Sequence, residues 1–310
     1  MSNFLQLVRN ENMKLYAKKG TWAMVIILTL LVLAGGFIAK FMDDTTTKEY
    51  GDNWREEMQQ EMAEAEQNPD SYINVDKNTY YLENDIEPQS YGAMQFAYEN
   101  TGMASIITLL TIIVAGGILA TEFNQGTIKL LLIRPVSRLK ILASKYVTVL
   151  LFALTLLVIL FVWSWIVGAI LFGVNGMNPS AVIYQMAGYA QVNLLSEIGI
   201  ELGLSLVNLI MMATFAFMIS TIFRNSSMAI GFAIFLMFAG NLVINFVGQY
   251  DWAKYILFVN TDLSQYREGF GGPLLEGMSL SFSITVLLVY YIIFIVASWL
   301  SFIKRDVAGQ

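Results

Sequence analysis

The chain has 310 residues, of which 56% are hydrophobic and 14% are charged. Soluble proteins average about 25% charged residues, so this composition is typical of a membrane protein. The chain contains no cysteine and no histidine, which excludes disulfides, thiolate metal sites and catalysis by histidine. The net charge of −6 is the average of basic segments and acidic segments.

Six apolar segments have the roughly 17–25 residues that a helix needs to cross the hydrocarbon core of a bilayer. We predict spans at about residues 21–42, 101–121, 146–172, 198–222, 228–247 and 280–302. The basic, amphipathic residues 1–20 favour an interfacial helix on the inner leaflet, although they could be an ordinary basic flank of the first span. The predicted fold class is an all-α polytopic membrane protein with six transmembrane helices.

Residues 43–100 form a long polar segment with fifteen acidic and three basic residues. Within it, Trp54, Met58 and Met62 recur at helical spacing, which predicts a short amphipathic helix before Pro69. We predict that the segment is an extracellular insertion. It could be a solvated cap, which is the ordinary role of a run of charge, or it could capture a cationic peptide or antibiotic.

The basic residues indicate the orientation of the chain. Twelve of the 18 basic residues fall in the two termini, in residues 122–145 and in the short turn at Arg224. The positive-inside rule places these segments in the cytoplasm and the acidic connections outside. Both termini are therefore predicted to be cytoplasmic.

Polar side chains in or beside the spans are candidates for a substrate path. Glu197 and Glu201 lie one turn apart and share a helix face, so they could bind a cationic group or form a hydrated helix end. Asn208, Asn241 and Asn245 lie inside apolar spans. They could line a path, or hydrogen-bond between helices at about 0.6–2 kcal/mol each. We predict these five residues as the candidate path.

No catalytic or metal site is predicted. The chain has no G-x-x-x-x-G-K-[ST] phosphate loop, and without histidine it cannot have an H-E-x-x-H zinc motif. No aspartate lies inside a predicted span, which argues against an intramembrane aspartyl protease. We predict that the chain is not an enzyme and binds neither a cofactor nor nucleic acid.

The connection between the second and third spans, residues 122–145, carries five basic residues and one acid. The acid, Glu122, lies where a helix C-terminus meets the inner surface, and a carboxylate there opposes the helix dipole. It could pair with Lys129 or Arg134, pair with a partner protein, or remain hydrated.

A short helix is predicted within this connection. Gly126 and Thr127 are typical of a helix start, and Pro135 disfavours helical geometry at the residue before it, Arg134. Between these limits the apolar residues recur at helical spacing: Ile128, Leu131 and Leu132. Such a stripe could face the lipid surface or be buried on a partner protein.

A second helix is predicted to continue from this connection into the third span, with Ser137 as its N-cap. Its first turn would contain Arg138 and Lys140, where the helix dipole disfavours cations by roughly 0.3–1 kcal/mol each. Anionic lipid headgroups or an acidic groove on a partner could offset this cost.

The sequence EFNQGTIKLLLIRPVSRLKILASKY, residues 122–146, resembles the first cytoplasmic loop of ABC-2 type ABC transporter permeases. Residues 220–231 are similar to that family's tight turn before its fifth span. Residues 260–266 resemble part of its last extracellular loop. The order of the six predicted spans extends the resemblance over nearly the whole chain.

The resemblance implies the permease subunit of an ATP-driven exporter in a bacterial plasma membrane, with efflux of or immunity to antimicrobial peptides or antibiotics as a candidate role. A coupling helix would dock on a separate ATPase, which would bind ATP and Mg²⁺. Two ATPase copies and a second permease copy or paralogue would complete the transporter. The implied ATPase-coupling residues are Glu122, Gly126, Thr127, Ile128, Lys129, Leu131, Leu132, Arg134 and Pro135.

Two other classes of function also fit the sequence. One is a membrane scaffold or sensor that binds a partner without transport. The other is an ion or lipid channel without an ATPase. A stoichiometric ATPase partner would distinguish the transporter from both.

Overall fold

The structure is a computed structural model that describes residues 2–42, 48, 50–68, 74–127, 136–176, 179–185, 188–267 and 272–304. In this part of the chain the protein is mostly helical. Its helices are α1 Ser2–Tyr16, α2 Lys19–Met42, α3 Trp54–Gln67, α4 Val75–Glu83, α5 Ala93–Glu99, α6 Ala104–Ile118, α7 Ala120–Asn124, α8 Arg138–Phe172, α9 Leu194–Phe223, α10 Ser226–Val247, α11 Leu257–Thr261 and α12 Leu280–Lys304. Two strands, β1 Ser180–Gln185 and β2 Gly188–Asn193, lie between α8 and α9.

Five helical segments of the described chain are long and apolar enough to cross a membrane. They are Lys19–Met42, Ala93–Asn124, Arg138–Phe172, Leu194–Phe223 and Leu280–Ile303. Each coincides in position with a predicted span, so a long apolar helix is confirmed at five of the six predicted places. At the place of the predicted fifth span, residues 228–247, the structure has α10. Counting only described residues, its apolar part is Ser226–Gly240, which is too short to cross a membrane. A span at residues 228–247, and with it the total of six spans, stays a prediction.

The all-α expectation needs one correction, because β1 and β2 form an antiparallel hairpin with Ser180 opposite Asn193 and Gln185 opposite Gly188. Sequence analysis predicted no strand in this connection. The hairpin packs on the acidic insertion, where Val182 joins a buried apolar cluster with Trp54 and Met58. Short strands depend on such tertiary contacts more than on local propensity, so the sequence pattern alone did not reveal them.

The predicted amphipathic helix in the insertion is confirmed as α3 Trp54–Gln67. Trp54 and Met58 point into the apolar cluster and are 4% and 1% exposed. The insertion therefore has a small core of its own at the far end of the bundle from α1.

The helical segment at the predicted second span is interrupted at Leu119, between α6 and α7. The hydroxyl of Ser220 on α9 donates to the Gly116 carbonyl at 2.7 Å and accepts a hydrogen bond from the Ala120 amide at 3.3 Å. In an apolar environment such side chains satisfy backbone groups that a broken helix leaves free. Ser220 therefore stabilises the interruption.

Helix α10 approaches α6 closely at Gly116. A Cβ atom added there would lie 2.8 Å from a side-chain carbon of Ile230 and 3.2 Å from its backbone nitrogen. Only glycine fits this contact without a shift of the α10 backbone. The close packing brings the turn between α9 and α10 beside α7.

Helix α1 confirms the prediction of an N-terminal amphipathic helix, but it packs on the protein through a narrow face. Val8 and Leu15 are buried, whereas Leu5 is 68% exposed. The Leu15 carbonyl also accepts a 2.5 Å hydrogen bond from the Thr21 hydroxyl of α2. We call the end of the bundle that holds α1, α7 and the start of α8 the basic end, and the end that holds α3, α4 and the hairpin the acidic end.

Candidate functional site

Four charged side chains meet at the basic end, and we call them the neck cluster. They are Glu11 and Lys14 on α1, Glu122 on α7 and Lys145 near the start of α8. The Lys145 Nζ lies 2.7 Å from Glu11 Oε2 and 2.5 Å from Glu122 Oε1. The Lys14 Nζ lies 2.9 Å from Glu11 Oε1 and 3.4 Å from Glu122 Oε1. The cluster thus joins three helices that are far apart in the sequence.

The centre of the neck cluster is out of reach of solvent. The Lys145 side chain is fully buried, while those of Glu11 and Glu122 are 9% and 13% exposed. A buried ion that loses its partner costs several kcal/mol, so each member constrains the others. Two acids balance two bases, and the cluster carries no net charge.

The titration of the α1 members reflects these contacts. Burial acts to raise the pKa of Glu11, but the ammonium groups of Lys145 and Lys14 outweigh it and hold that pKa below its usual value. Burial acts to lower the pKa of Lys14, but the carboxylates of Glu11 and Glu122 outweigh it and raise that pKa. Glu11 and Lys14 therefore both stay ionised over a wider pH range than the isolated groups do.

One acceptor of the neck cluster is unused. Among the described residues, Glu122 Oε2 is buried without a hydrogen-bond partner. Beside it lies an open cavity of about 500 Å³, lined in part by Lys18, Gln125 and Thr127. The described chain holds no group of three or more acidic metal ligands. The arrangement can fix three helices together and accept one more donor.

The predicted coupling residues divide between the neck cluster and the connection that follows it. Gly126, at φ +70°, and Thr127 lie in a turn after α7, and the Thr127 hydroxyl contacts the Glu122 carbonyl at 3.4 Å. The described partners of the Glu122 carboxylate are Lys145 and Lys14. Six predicted coupling residues lie outside the described residues: Ile128, Lys129, Leu131, Leu132, Arg134 and Pro135. The predicted pairing of Glu122 with Lys129 or Arg134 lies outside them as well.

The start of α8 matches the prediction in position. Ser137 is the N-cap residue, although its side chain makes no capping hydrogen bond. The Arg138 guanidinium donates to the Ile303 carbonyl at 3.1 Å, at the C-terminal end of α12. The dipole of α12 favours a cation there, so the chain itself offsets the unfavourable position of Arg138 in the first turn of α8.

A second charged cluster lies at the acidic end, and we call it the latch cluster. Arg267, in the segment between α11 and α12, makes one ion pair with Glu197 and one with Glu201 on α9. Two of the predicted path residues are thus brought together by an arginine of the same chain. Asn208 is half-buried on α9, whereas the side chains of Asn241 and Asn245 on α10 lie outside the described part.

Sequence analysis did not single out Glu11, Lys145 or Arg267. For Lys145 a signal existed, because an ionisable residue in a long apolar helix is expected to face a partner or a cavity. Glu11 is an isolated acid on a basic helix, which is a weaker signal. Arg267 is 66 and 70 residues from its two partners, and no local pattern connects them.

Comparisons with known proteins place the chain in a family. A family model described as "Protein of unknown function (DUF2705)" matches residues 66–308. The chain is 40% identical over 317 residues to "Uncharacterized protein YhcI" of Bacillus subtilis (strain 168), covering 98% of this chain and 100% of that protein. It is 33% identical over 204 residues to "Uncharacterized membrane protein YdbK" of the same organism, covering 65% of this chain and 78% of that protein. The chain therefore belongs to the DUF2705 family.

Proposed function

We propose that the protein is the membrane-spanning permease subunit of an ATP-driven ABC-2 type transporter, which works as an exporter with a separate ATPase chain. The support is the resemblance of residues 122–146 to the coupling loop of that family and the order of the long apolar helices. In this proposal α10 is the fifth of six spans, and both termini face the cytoplasm of a bacterial cell. The relative named as a membrane protein agrees with this location.

The observation that carries the proposal is the ion pair at the base of the 122–145 connection. Glu122 and Lys145 are 23 residues apart in sequence, yet their side chains meet at 2.5 Å with the lysine fully buried. The two ends of the connection are therefore held together at one fixed point. A force applied to the connection reaches α7 and α8 together, and it reaches α1 through Glu11.

The mechanism that this arrangement supports is alternating access. Closure of an ATPase dimer would push on the connection, and the neck cluster would transmit the push to the spans. At the acidic end, the latch cluster ties α9 to the segment that carries Arg267. Opening towards that side requires the latch ion pairs to separate, which would release Glu197 and Glu201 for a cationic group of the substrate.

The test is co-purification of an ATPase with the permease in mild detergent from the native host. Burial of the stripe Ile128, Leu131 and Leu132 on a partner would contribute roughly 1.5–3 kcal/mol of binding free energy per side chain. Replacing Leu131 and Leu132 with Asp is expected to weaken ATPase binding by about 100-fold or more. Recovery of the ATPase should therefore fall to background.

The matched control is Leu139→Asp, because Leu139 is 51% exposed in the first turn of α8 and places an acid at the same end of the bundle. It should leave ATPase recovery unchanged. Equal recovery with the double mutant would refute the coupling assignment and indicate a lipid-facing stripe. Equal loss with both variants would also count against the assignment, because the loss would not be specific to Leu131 and Leu132. Wild-type protein that recovers no ATPase would favour the scaffold or channel.

A further inference from the structure

The acidic insertion and strand β1 line an open cavity of about 500 Å³ that the proposed transport mechanism does not use. Helices α3 and α4 form two of its walls, residues near the start of α5 a third, and strand β1 the fourth. Ligand pockets for small molecules commonly measure about 300–1,000 Å³. The cavity is therefore large enough for a molecule the size of an amino acid or a dipeptide.

One acid in the cavity wall is already satisfied by the protein. Glu61 accepts hydrogen bonds from the Tyr50 hydroxyl at 3.2 Å and from the Asn78 amide at 2.8 Å, and it forms an ion pair with Lys48. These contacts hold α3 against α4 and the segment before α3. Glu61 and Lys48 thus neutralise each other and leave no charge for a ligand.

Two other charges in the same wall have no such partner. In the described part of the chain, neither the Lys77 ammonium nor the Glu64 carboxylate makes a hydrogen bond or an ion pair. Lys77 is half-buried, and burial lowers its pKa despite the opposing effect of Glu99. A partly buried ammonium without an acceptor costs free energy. A ligand carboxylate at Lys77 would remove that cost.

The other side chains of the wall are mixed: Asn74, Gln89 and Gln95 are polar, whereas Met58, Tyr81 and Val182 are apolar or aromatic. Met58 and Tyr81 are 1% and 8% exposed, and Val182 of β1 is 5% exposed. All three line the cavity and also form the small core of the insertion. These three side chains give the wall an apolar region for a hydrocarbon or aromatic group, in the same cavity as the half-buried Lys77 and the exposed Glu64.

The field of the insertion selects among charged ligands. Its fifteen acidic and three basic residues repel simple anions such as phosphate before they reach Lys77. A zwitterion has no net charge, so the field does not oppose its entry. Its carboxylate can bind Lys77 while its ammonium group binds Glu64.

We propose that this cavity binds a small zwitterion with an apolar side group, an amino acid or a dipeptide, with its carboxylate on Lys77, its ammonium on Glu64 and its side group on Met58 and Tyr81. This site is independent of the proposed transport, because it needs neither an ATPase nor the basic end. Such a ligand would contact α3, α4 and β1 at the same time and would hold these three elements together at the acidic end of the bundle.

The test is equilibrium binding to the purified full-length protein in detergent, by calorimetry, without any ATPase. The probes are L-phenylalanine, L-leucyl-L-phenylalanine, and the N-acetyl and C-terminal amide forms of the dipeptide. Loss of one charged hydrogen bond corresponds to roughly a 10- to 100-fold loss of affinity. Each blocked dipeptide is therefore expected to bind about 10-fold or more weakly than the free one.

Variants connect each charge of the ligand to its residue. Lys77→Gln should lower the affinity for the free dipeptide to that of the wild type for the amide, and this variant should bind the free and the amidated dipeptide equally well. Glu64→Gln should likewise bind the free and the N-acetylated dipeptide equally well. Lys77→Arg keeps the charge and should retain more binding than Lys77→Gln. Asp76→Asn, on the exposed side of α4, is the matched control and should bind like wild type.

The proposal is overturned if neither phenylalanine nor the free dipeptide shows saturable binding. It is also overturned if Lys77→Gln binds the free dipeptide as tightly as Asp76→Asn does. Either result leaves the ATPase co-purification unaffected, so the two proposals fail separately.

Discussion

Both charged clusters pair glutamates with basic residues, but they differ in charge balance and in depth of burial. The neck cluster pairs two acids with two bases around Lys145, whose side chain is fully buried. The latch cluster sets one arginine, 15% exposed, against two acids that are 10% and 22% exposed. A neutral, dry cluster is costly to open, because every ion in it would lose its partner. A cluster with an excess of acid near water can exchange its cation for another one at a smaller cost.

The largest expected effect is that of Lys145→Met, because it leaves two acids in a buried site with Lys14 as their remaining described partner. Removing one partner of a buried ion pair costs about 3–5 kcal/mol. The free energy of unfolding in detergent should fall by that amount in a denaturant titration. Lys140→Met, at an exposed position of the same helix, is the control and should stay within about 0.5 kcal/mol of wild type. A loss at Lys145 no larger than the control would contradict the buried cluster.

A smaller effect is expected for Arg267→Gln. The arginine is partly exposed, so the two acids can recover water, and the loss should be about 1–3 kcal/mol. The same denaturant titration measures it. Adding Glu197→Gln and Glu201→Gln should restore part of the lost stability, because the variant then lacks the two acids that repel each other. If the triple variant is less stable than Arg267→Gln, mutual repulsion of the acids is not what the arginine relieves.

The smallest effect concerns pH and the attachment of α1. The pKa of Glu11 is lowered from 4.5 in the folded protein, so its contribution to stability is present above pH 4.5 and is lost as pH falls through the lowered value. Protease cleavage within α1 should therefore become faster only below about pH 4.5. Glu11→Gln should be cleaved faster at neutral pH and lose this pH dependence. A wild-type cleavage rate that already rises between pH 6 and pH 4.5, at constant protease activity, would contradict the pairing.

The sequence predicted the parts of the molecule that depend on local pattern. Long apolar runs predicted the positions of the five long apolar helices to within a few residues, except that two of these helices begin earlier than predicted, at Ala93 and Arg138. The spacing of Trp54 and Met58 gave α3. The hairpin was missed, because two six-residue strands become stable only against the insertion.

The candidate site was predicted in part for the same reason. Glu122 attracted attention because it is the lone acid of a basic connection, but its described partners come from α1 and α8. Lys145 was counted with the basic residues of the connection, although the helix around it is apolar. Pairing across three helices is a property of the tertiary packing, and no spacing in one sequence encodes it.

The interruption of the second span at Leu119 has a mechanical consequence. It lies one turn before Glu122, and the Ser220 hydroxyl contacts backbone groups on both of its sides. A single hydroxyl can rotate to follow either group, so the short helix that carries Glu122 can pivot without exposing an unsatisfied amide to lipid. The short helix α7 can then change its angle to α6 while α6 stays packed against its neighbours. Motion that enters at the neck cluster would therefore be passed on mainly by the unbroken helix α8, on which Lys145 stands.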